Sequence, residues 1–170
     1  MEVLPQRRDV LVAGMDLILW RHADAADGSP DEARELTKKG RKQAQRMAAW
    51  LAPRLPAEVK VIVSPAVRAR QTAQAYAKRF RTAEEVGLGA RPERVLEAAG
   101  WPHGRGSVLV VGHQPTLGSA AALALTGKAQ QWELSKGAIW WLRAGDGDGA
   151  PVTVAVLSPA LLRARAAGIR

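Results

Sequence analysis

Residues 15–22, MDLILWRH, decide how this chain is read. Met15 to Trp20 form a largely apolar run of strand length, and it breaks without transition onto Arg21 and His22. Such a run, bounded by polar residues, reads as a buried strand. Two further stretches repeat the pattern. VKVIV at 59–63 ends on Ser64-Pro65 with Arg68 close behind, and SVLVVGH at 107–113 ends on His113. Ligands of open α/β sheets bind beyond the carboxyl ends of parallel strands. Three strands therefore deliver Arg21-His22, Ser64 to Arg68 and Gly112-His113 to one edge of the sheet, two of the chain's three histidines among them.

The stretches between these strands read as helices. In TKKGRKQAQRMAAWLAPRL (37–55), Ala44, Met47, Ala48, Leu51 and Leu55 recur at helical spacing, with Thr37 able to cap the start. PAVRARQTAQAYAKRF (65–80) predicts a second helix with Ser64 at its N-cap and Pro65 at its first position. A short helix is expected near RPERVLEAAGW (91–101), and PTLGSAAALALTG (115–127) is helical and ended by Gly127. GAIWWLRAGDGDGAPVTVAVL (137–157) reads as two strands around a Gly-Asp turn, with Trp140 and Trp141 on opposite faces. SPALLRARAAG (158–168) reads as a short last helix. The alternation predicts an α/β fold: a three-layer sandwich with a mostly parallel central sheet, helices on both faces and an antiparallel edge hairpin.

The 170 residues, 47% of them hydrophobic, suit a single domain over 15–170 preceded by an extension at 1–14. Cysteine is absent, which removes disulfides, a thiolate nucleophile and Cys-ligated metal from consideration. No apolar run approaches the ~20 residues of a membrane-spanning helix, and the N-terminus lacks the order of a signal peptide. A cytoplasmic location without membrane contact is the expectation. The net charge of +9, from 25 Lys and Arg against 16 Asp and Glu, favours an anionic partner. A nucleic-acid-binding module would use that charge and the six tryptophans, but no such motif is visible, so nucleic acid is not expected. The basic segments KKGRKQAQR and LLRARAAGIR read first as solvated surface, and the tryptophans as packing.

The residues at the strand ends suit a phosphoryl group. Guanidinium offers paired donors to phosphate oxygens and keeps its charge, helix starts add backbone N–H groups, and a neutral imidazole is a competent nucleophile. That chemistry calls for neither metal nor cofactor.

LWRHADA (19–25), SPAVRARQTAQ (64–74) and VLVVGHQPTLG (108–118) resemble, in order and in element, the three motifs of the histidine phosphatase (phosphoglycerate mutase-like) superfamily. The length, the motif spacing and LTKKGRKQA near the first helix look most like its small phosphohistidine phosphatases of the SixA type. The resemblance implies that His22 is the nucleophile and is transiently phosphorylated. It also implies that Arg21 and Arg68 clamp the phosphoryl oxygens, and that His113 donates a hydrogen bond to the same group. Ser64 and Gln114 are further candidates to touch substrate, and inorganic phosphate or sulfate would suit the pocket. Ala23 departs from the family's glycine. Many relatives carry an acid that protonates the leaving group. Glu97 and Asp24 are the candidates here, with Glu93, Glu84 and Glu85 behind them, and none sits in a clear motif. A phosphoramidate needs little acid help, so the expected substrate is a histidine phosphotransfer domain or kinase, presented to a shallow, open pocket. The alternative is a small-molecule phosphomonoester phosphatase. Arg70 and His103 are expected at the surface and in a loop respectively.

Overall fold

A computed structural model describes residues 14–162. The expected extension, apart from Gly14, and the end of the expected last helix lie outside the described residues. Six strands form one sheet: β1 (Met15–Arg21), β2 (Lys60–Val63), β3 (Arg81–Thr82), β4 (Gly106–Gly112), β5 (Ile139–Arg143) and β6 (Val152–Leu157). Their order is β3-β2-β4-β1-β5-β6. The first four strands in that order run parallel, whereas β5 pairs antiparallel with β1 and again with β6. This is the α/β sandwich with an antiparallel edge hairpin that the sequence pattern implied.

Side-chain alternation along the strands splits the core in two. Leu17 and Leu19 of β1, Ile62 of β2, and Val108 and Val110 of β4 face one way. Ile18 and Trp20, Val61 and Val63, and Leu109 and Val111 face the other. On the first face lie α3 (Pro92–Ala99) and α4 (Thr116–Thr126); on the second lie α1 (Lys38–Leu51) and α2 (Val67–Gln74). Residues of β1 and β4 are buried on both faces because both are helix-covered, which is why they read as continuous apolar runs. Fully burying one such Leu or Ile side chain is worth about 1.5–3 kcal/mol.

α1 follows its predicted register. Ala44, Met47, Ala48, Leu51 and the following Leu55 are all buried, and Thr37 Oγ1 caps the helix by accepting from Gly40 N at 2.9 Å. Gly127 ends α4 with φ 73°. Trp140 and Trp141 divide between the two faces as expected: Trp140 stacks on Trp132 at 5.0 Å, and Trp141 meets Trp50 edge-on at 6.3 Å.

Two expectations need correction. α2 begins at Val67 behind Ala66 and stops at Gln74, shorter at both ends than the predicted 65–80. The hydroxyl of Ser64 accepts from Ala66 N at 3.2 Å and meets a histidine on β4, so it closes a tight turn and the helix starts after it. Past Gln74 the chain must turn back to lay β3 beside β2. The last helix is a 3-10 turn at Pro159–Leu162 as far as it is described. Among the described residues no helix is long and apolar enough to cross a membrane.

Candidate active site

The carboxyl ends of β1, β4 and β2 are adjacent, and the parallel ladder continues one residue past each strand: His22 N donates to Gly112 O, and Ser64 N to Val111 O, both at 3.0 Å. His22, His113 and Ser64 thus emerge side by side. The two imidazole rings lie 5.2 Å apart between centroids, tilted by 57°. His22, Arg68 and His113 are only 7%, 3% and 4% exposed. These side chains are thus largely covered, and the 3-10 turn Asp31–Ala33 reaches over Arg68.

Each side chain is aimed by a specific partner. His22 Nδ1 lies 2.8 Å from Ala23 O, a contact that requires the proton on Nδ1 and leaves Nε2 as the acceptor nitrogen. Nε2 accepts from Arg68 Nε at 3.2 Å. Arg21 donates from one terminal nitrogen to Leu134 O at 2.8 Å, while its buried Nε has no partner. His113 Nε2 meets Ser64 Oγ at 2.7 Å, and its buried Nδ1 is likewise unpartnered. With Ser64 donating, the proton of His113 resides on Nδ1. Two buried nitrogens without partners beside the His22 imidazole suit an oxyanion ligand.

Burial pushes the His22 pKa down to about 4; the charges of Arg68, Arg21 and Arg34 act the same way, and the bond to Ala23 O opposes them. For His113 burial again leads, aided by His22 and Arg68, and the result is about 3. Both rings are neutral at physiological pH. Burial also lowers the pKa of Arg21, opposed by the charge of Glu133, but an arginine guanidinium keeps its charge.

Several residues that sequence reasoning did not single out shape this site. Asp31 holds Arg68 from two atoms, its main-chain oxygen accepting from one terminal nitrogen at 2.6 Å and Oδ2 from the other at 2.9 Å. Arg34 grips the other carboxylate oxygen of Asp31 at 2.8 Å. These two arginines hold the Asp31 carboxyl below its usual range. Thr72 on α2 accepts from Ala23 N at 3.1 Å and donates to Arg68 O at 2.7 Å, tying the nucleophile strand to the arginine helix. The loop before β5 closes the near wall: Arg21 N donates to Ala138 O, Gly137 N to His22 O, and Trp20 Nε1 to Gly137 O, each at 3.0 Å. The spacing of Asp31 and Arg34 in DEARELT was the one sequence signal for this group, since residues three apart in a turn face the same way.

The secondary candidates fare unevenly. Ser64 belongs to the site through His113 and is not the cap of α2. Gln114 is spent internally, its amide donating to Trp132 O at 2.5 Å and accepting from Gly118 N at 3.0 Å, so it braces the loop and is not placed to hold substrate. Asp24 makes a poor proton donor, because bonds from Lys136 at 2.8 Å and Thr37 at 2.8 Å lower its pKa and keep it ionised. Glu97 pairs with Arg94 on the exposed face of α3 at 2.9 Å, with no bond to the cluster. Arg70 and His103 are exposed, as expected. Ala23 is fully buried with its methyl group in the core, so the extra carbon is accommodated there. Among the described residues no three His, Asp or Glu side chains gather as metal ligands.

Residues 17–88 match the sequence model of the histidine phosphatase superfamily, branch 1. An uncharacterised protein of Mycobacterium tuberculosis is 39% identical over 110 residues, 62% of this chain and 68% of its own. The structure of the protein histidine phosphatase SixA complexed with tungstate superposes with a TM-score of 0.74 at 29% identity, over 88% of this chain and 100% of that one. A phosphoserine phosphatase from Entamoeba histolytica in complex with 3-phosphoglyceric acid shares the fold, with a TM-score of 0.64 at 18% identity over 85% of this chain and 97% of its own.

Proposed function

Because the chain belongs to the histidine phosphatase superfamily, we propose that it removes the phosphoryl group from phosphohistidine on a protein, through a covalent intermediate on His22. The observation that carries this reading is the orientation of His22: Nδ1 is tied to Ala23 O, so the unprotonated Nε2 is turned to accept from Arg68 Nε beside the unpaired nitrogens of Arg21 and His113.

In the first step the Nε2 lone pair attacks phosphorus and the P–N bond of the substrate breaks; the departing imidazole nitrogen takes up a proton from water. Arg68, Arg21 and His113 Nδ1–H meet the charge on the three phosphoryl oxygens. In the second step a water oxygen attacks phosphorus, the bond to His22 Nε2 breaks, and inorganic phosphate leaves as the water's proton passes to solvent. His22 regains its lone pair, and the cycle consumes one water.

Phosphohistidine is favoured over alkyl phosphates by the state of the carboxylates. Asp24 and Asp31 are both held ionised by cations, and Glu97 is paired on another face. None of these three is a ready acid for a leaving group that must be protonated as it departs, whereas an imidazole needs little help. The SixA structure that superposes over its full length is that of a protein histidine phosphatase, which points the same way.

The test compares turnover of a phosphorylated histidine phosphotransfer domain, an aryl phosphate and a sugar phosphate, each with wild type and His22→Ala. The phosphotransfer domain should be the best substrate and the variant inactive on all. Faster turnover of the sugar phosphate would favour the small-molecule phosphatase, and activity surviving in His22→Ala would remove the proposed nucleophile.

A further inference from the structure

The first nine residues of α1 carry Lys38, Lys39, Arg41, Lys42 and Arg46, all exposed, and the helix contains no acidic residue. A solvated basic helix face ordinarily interleaves opposite charges at i, i+4 spacing. Here, among the described residues, none of the five lies within ion-pair distance of a carboxylate, although Arg34, Arg68, Arg94, Lys136 and Arg143 elsewhere all do. Three of the five fall in the first turn, where the helix macrodipole opposes positive charge. Folding alone gives no reason for this placement.

Four of them, Lys38, Lys39, Lys42 and Arg46, line a surface groove of about 650 Å³ between α1 and the 3-10 turn at Pro159. Its inner wall is Gln43, whose Oε1 accepts from Asp24 N at 2.9 Å. Asp24 lies two residues past His22, and Lys136 extends the positive rim to it at 2.8 Å. From Lys38 to Arg46 the row spans about 12 Å at 1.5 Å per residue. Gln43 thus links this groove of four cations to the loop that follows His22.

We infer that this groove is a docking surface for an acidic face of the phosphorylated protein substrate, which it holds while the phosphohistidine enters the crevice beside it. The inference rests on the protein-phosphohistidine reading above and adds the chemistry of the partner: carboxylates flanking the modified histidine. A protein surface is favoured over nucleic acid because no exposed aromatic platform accompanies the cations. Trp50, the aromatic residue of α1, is covered by Arg54 at 4.4 Å and packs edge-on against Trp141.

The test uses two phosphohistidine peptides, one flanked by Asp and Glu and one by Ser and Gln, with p-nitrophenyl phosphate as the small substrate. Wild type should prefer the acidic peptide by about tenfold in kcat/KM at low salt, a preference that 0.5 M NaCl erases by screening. The triple variant Lys38→Glu/Lys39→Glu/Lys42→Glu should lose the preference and keep its p-nitrophenyl phosphate rate within about twofold. Its Tm should rise, because the new carboxylates suit the helix start. The milder Lys38→Gln/Lys39→Gln/Lys42→Gln variant should show an intermediate preference. An acidic-peptide preference that survives the charge reversal, or a p-nitrophenyl phosphate rate that falls in parallel, overturns the inference. Equal, salt-independent turnover of both peptides also overturns it while leaving the substrate reading intact. Failure of both peptides to exceed p-nitrophenyl phosphate sinks the substrate reading, and the inference with it. Binding of a fluorescent DNA duplex that the same substitutions abolish, without change in peptide kinetics, would assign the groove to nucleic acid instead.

Discussion

Two neutral histidines packed among arginines make the fold acid-sensitive in a way that can be worked out in advance. Their pKa values fall from 6.5 to about 4 for His22 and about 3 for His113. The unfolded chain therefore binds more protons than the native one over that interval, and stability present above pH 6.5 is lost as pH falls below it. At pH 5.5 each histidine removes about 1.4 kcal/mol relative to the alkaline plateau, so the pair removes about 3 kcal/mol. Carboxylates with ordinary pKa values contribute little in this window because they are ionised throughout it. The measurement is urea unfolding at pH 7.5 and 5.5, in phosphate-free buffer, for wild type and His22→Gln/His113→Gln. Wild type should lose about 3 kcal/mol more than the variant, a midpoint shift of about 1.5 M for a slope near 2 kcal/mol/M. Adding inorganic phosphate should shrink the loss, because a bound dianion stabilises the imidazolium forms. Equal acid sensitivity in the two proteins would refute the argument, since the exposed His103 is common to both. The same depression keeps Nε2 of His22 unprotonated at neutral pH, so the acid limb of kcat/KM that belongs to it should lie near 4.

Three other perturbations probe the supports of the site. Gly40→Ala would place a Cβ against the main-chain oxygen of Asp24; the overlap should cost about 1–3 kcal/mol in thermal melts and slow aryl phosphate turnover by displacing the strand end from α1. Thr72→Val strands the buried Ala23 N–H and removes the side-chain bond to Arg68 O, for an expected loss of about 1–3 kcal/mol by chemical denaturation together with a lower kcat. Asp31→Asn removes the carboxylate charge that competes for Arg68; as Asp31 is half exposed, the gain in phosphate or tungstate affinity should reach about fivefold at most, read by inhibition of aryl phosphate hydrolysis.

The parts that were legible before the structure are those governed by local periodicity. The alternation in β1 and β4, the helical recurrence from Ala44 to Leu55, the Thr37 cap and the Gly127 stop each depend on neighbours within a turn or two, so the order of residues carries them. What escaped was set by contacts distant along the chain. Ser64 has a helix-cap sequence, yet its hydroxyl serves His113, 49 residues away. Gln114 follows a site histidine and looked available to substrate, but its amide is bound to Trp132, and Asp24 was disarmed as an acid by Lys136 from the loop before β5.

Residue order alone sends three strands ending on arginine, histidine and serine to one sheet edge, because parallel strands of an α/β fold point their carboxyl ends the same way. The state of those groups is set by contacts made only in the folded molecule. The ring of His22 is turned by Ala23 O, its basicity is removed by burial among Arg68, Arg21 and Arg34, and Arg68 itself is held by Asp31 from a turn 37 residues upstream. Tautomer, protonation and side-chain aim depend on desolvation and hydrogen bonds across the folded crevice, and those exist only when distant segments meet.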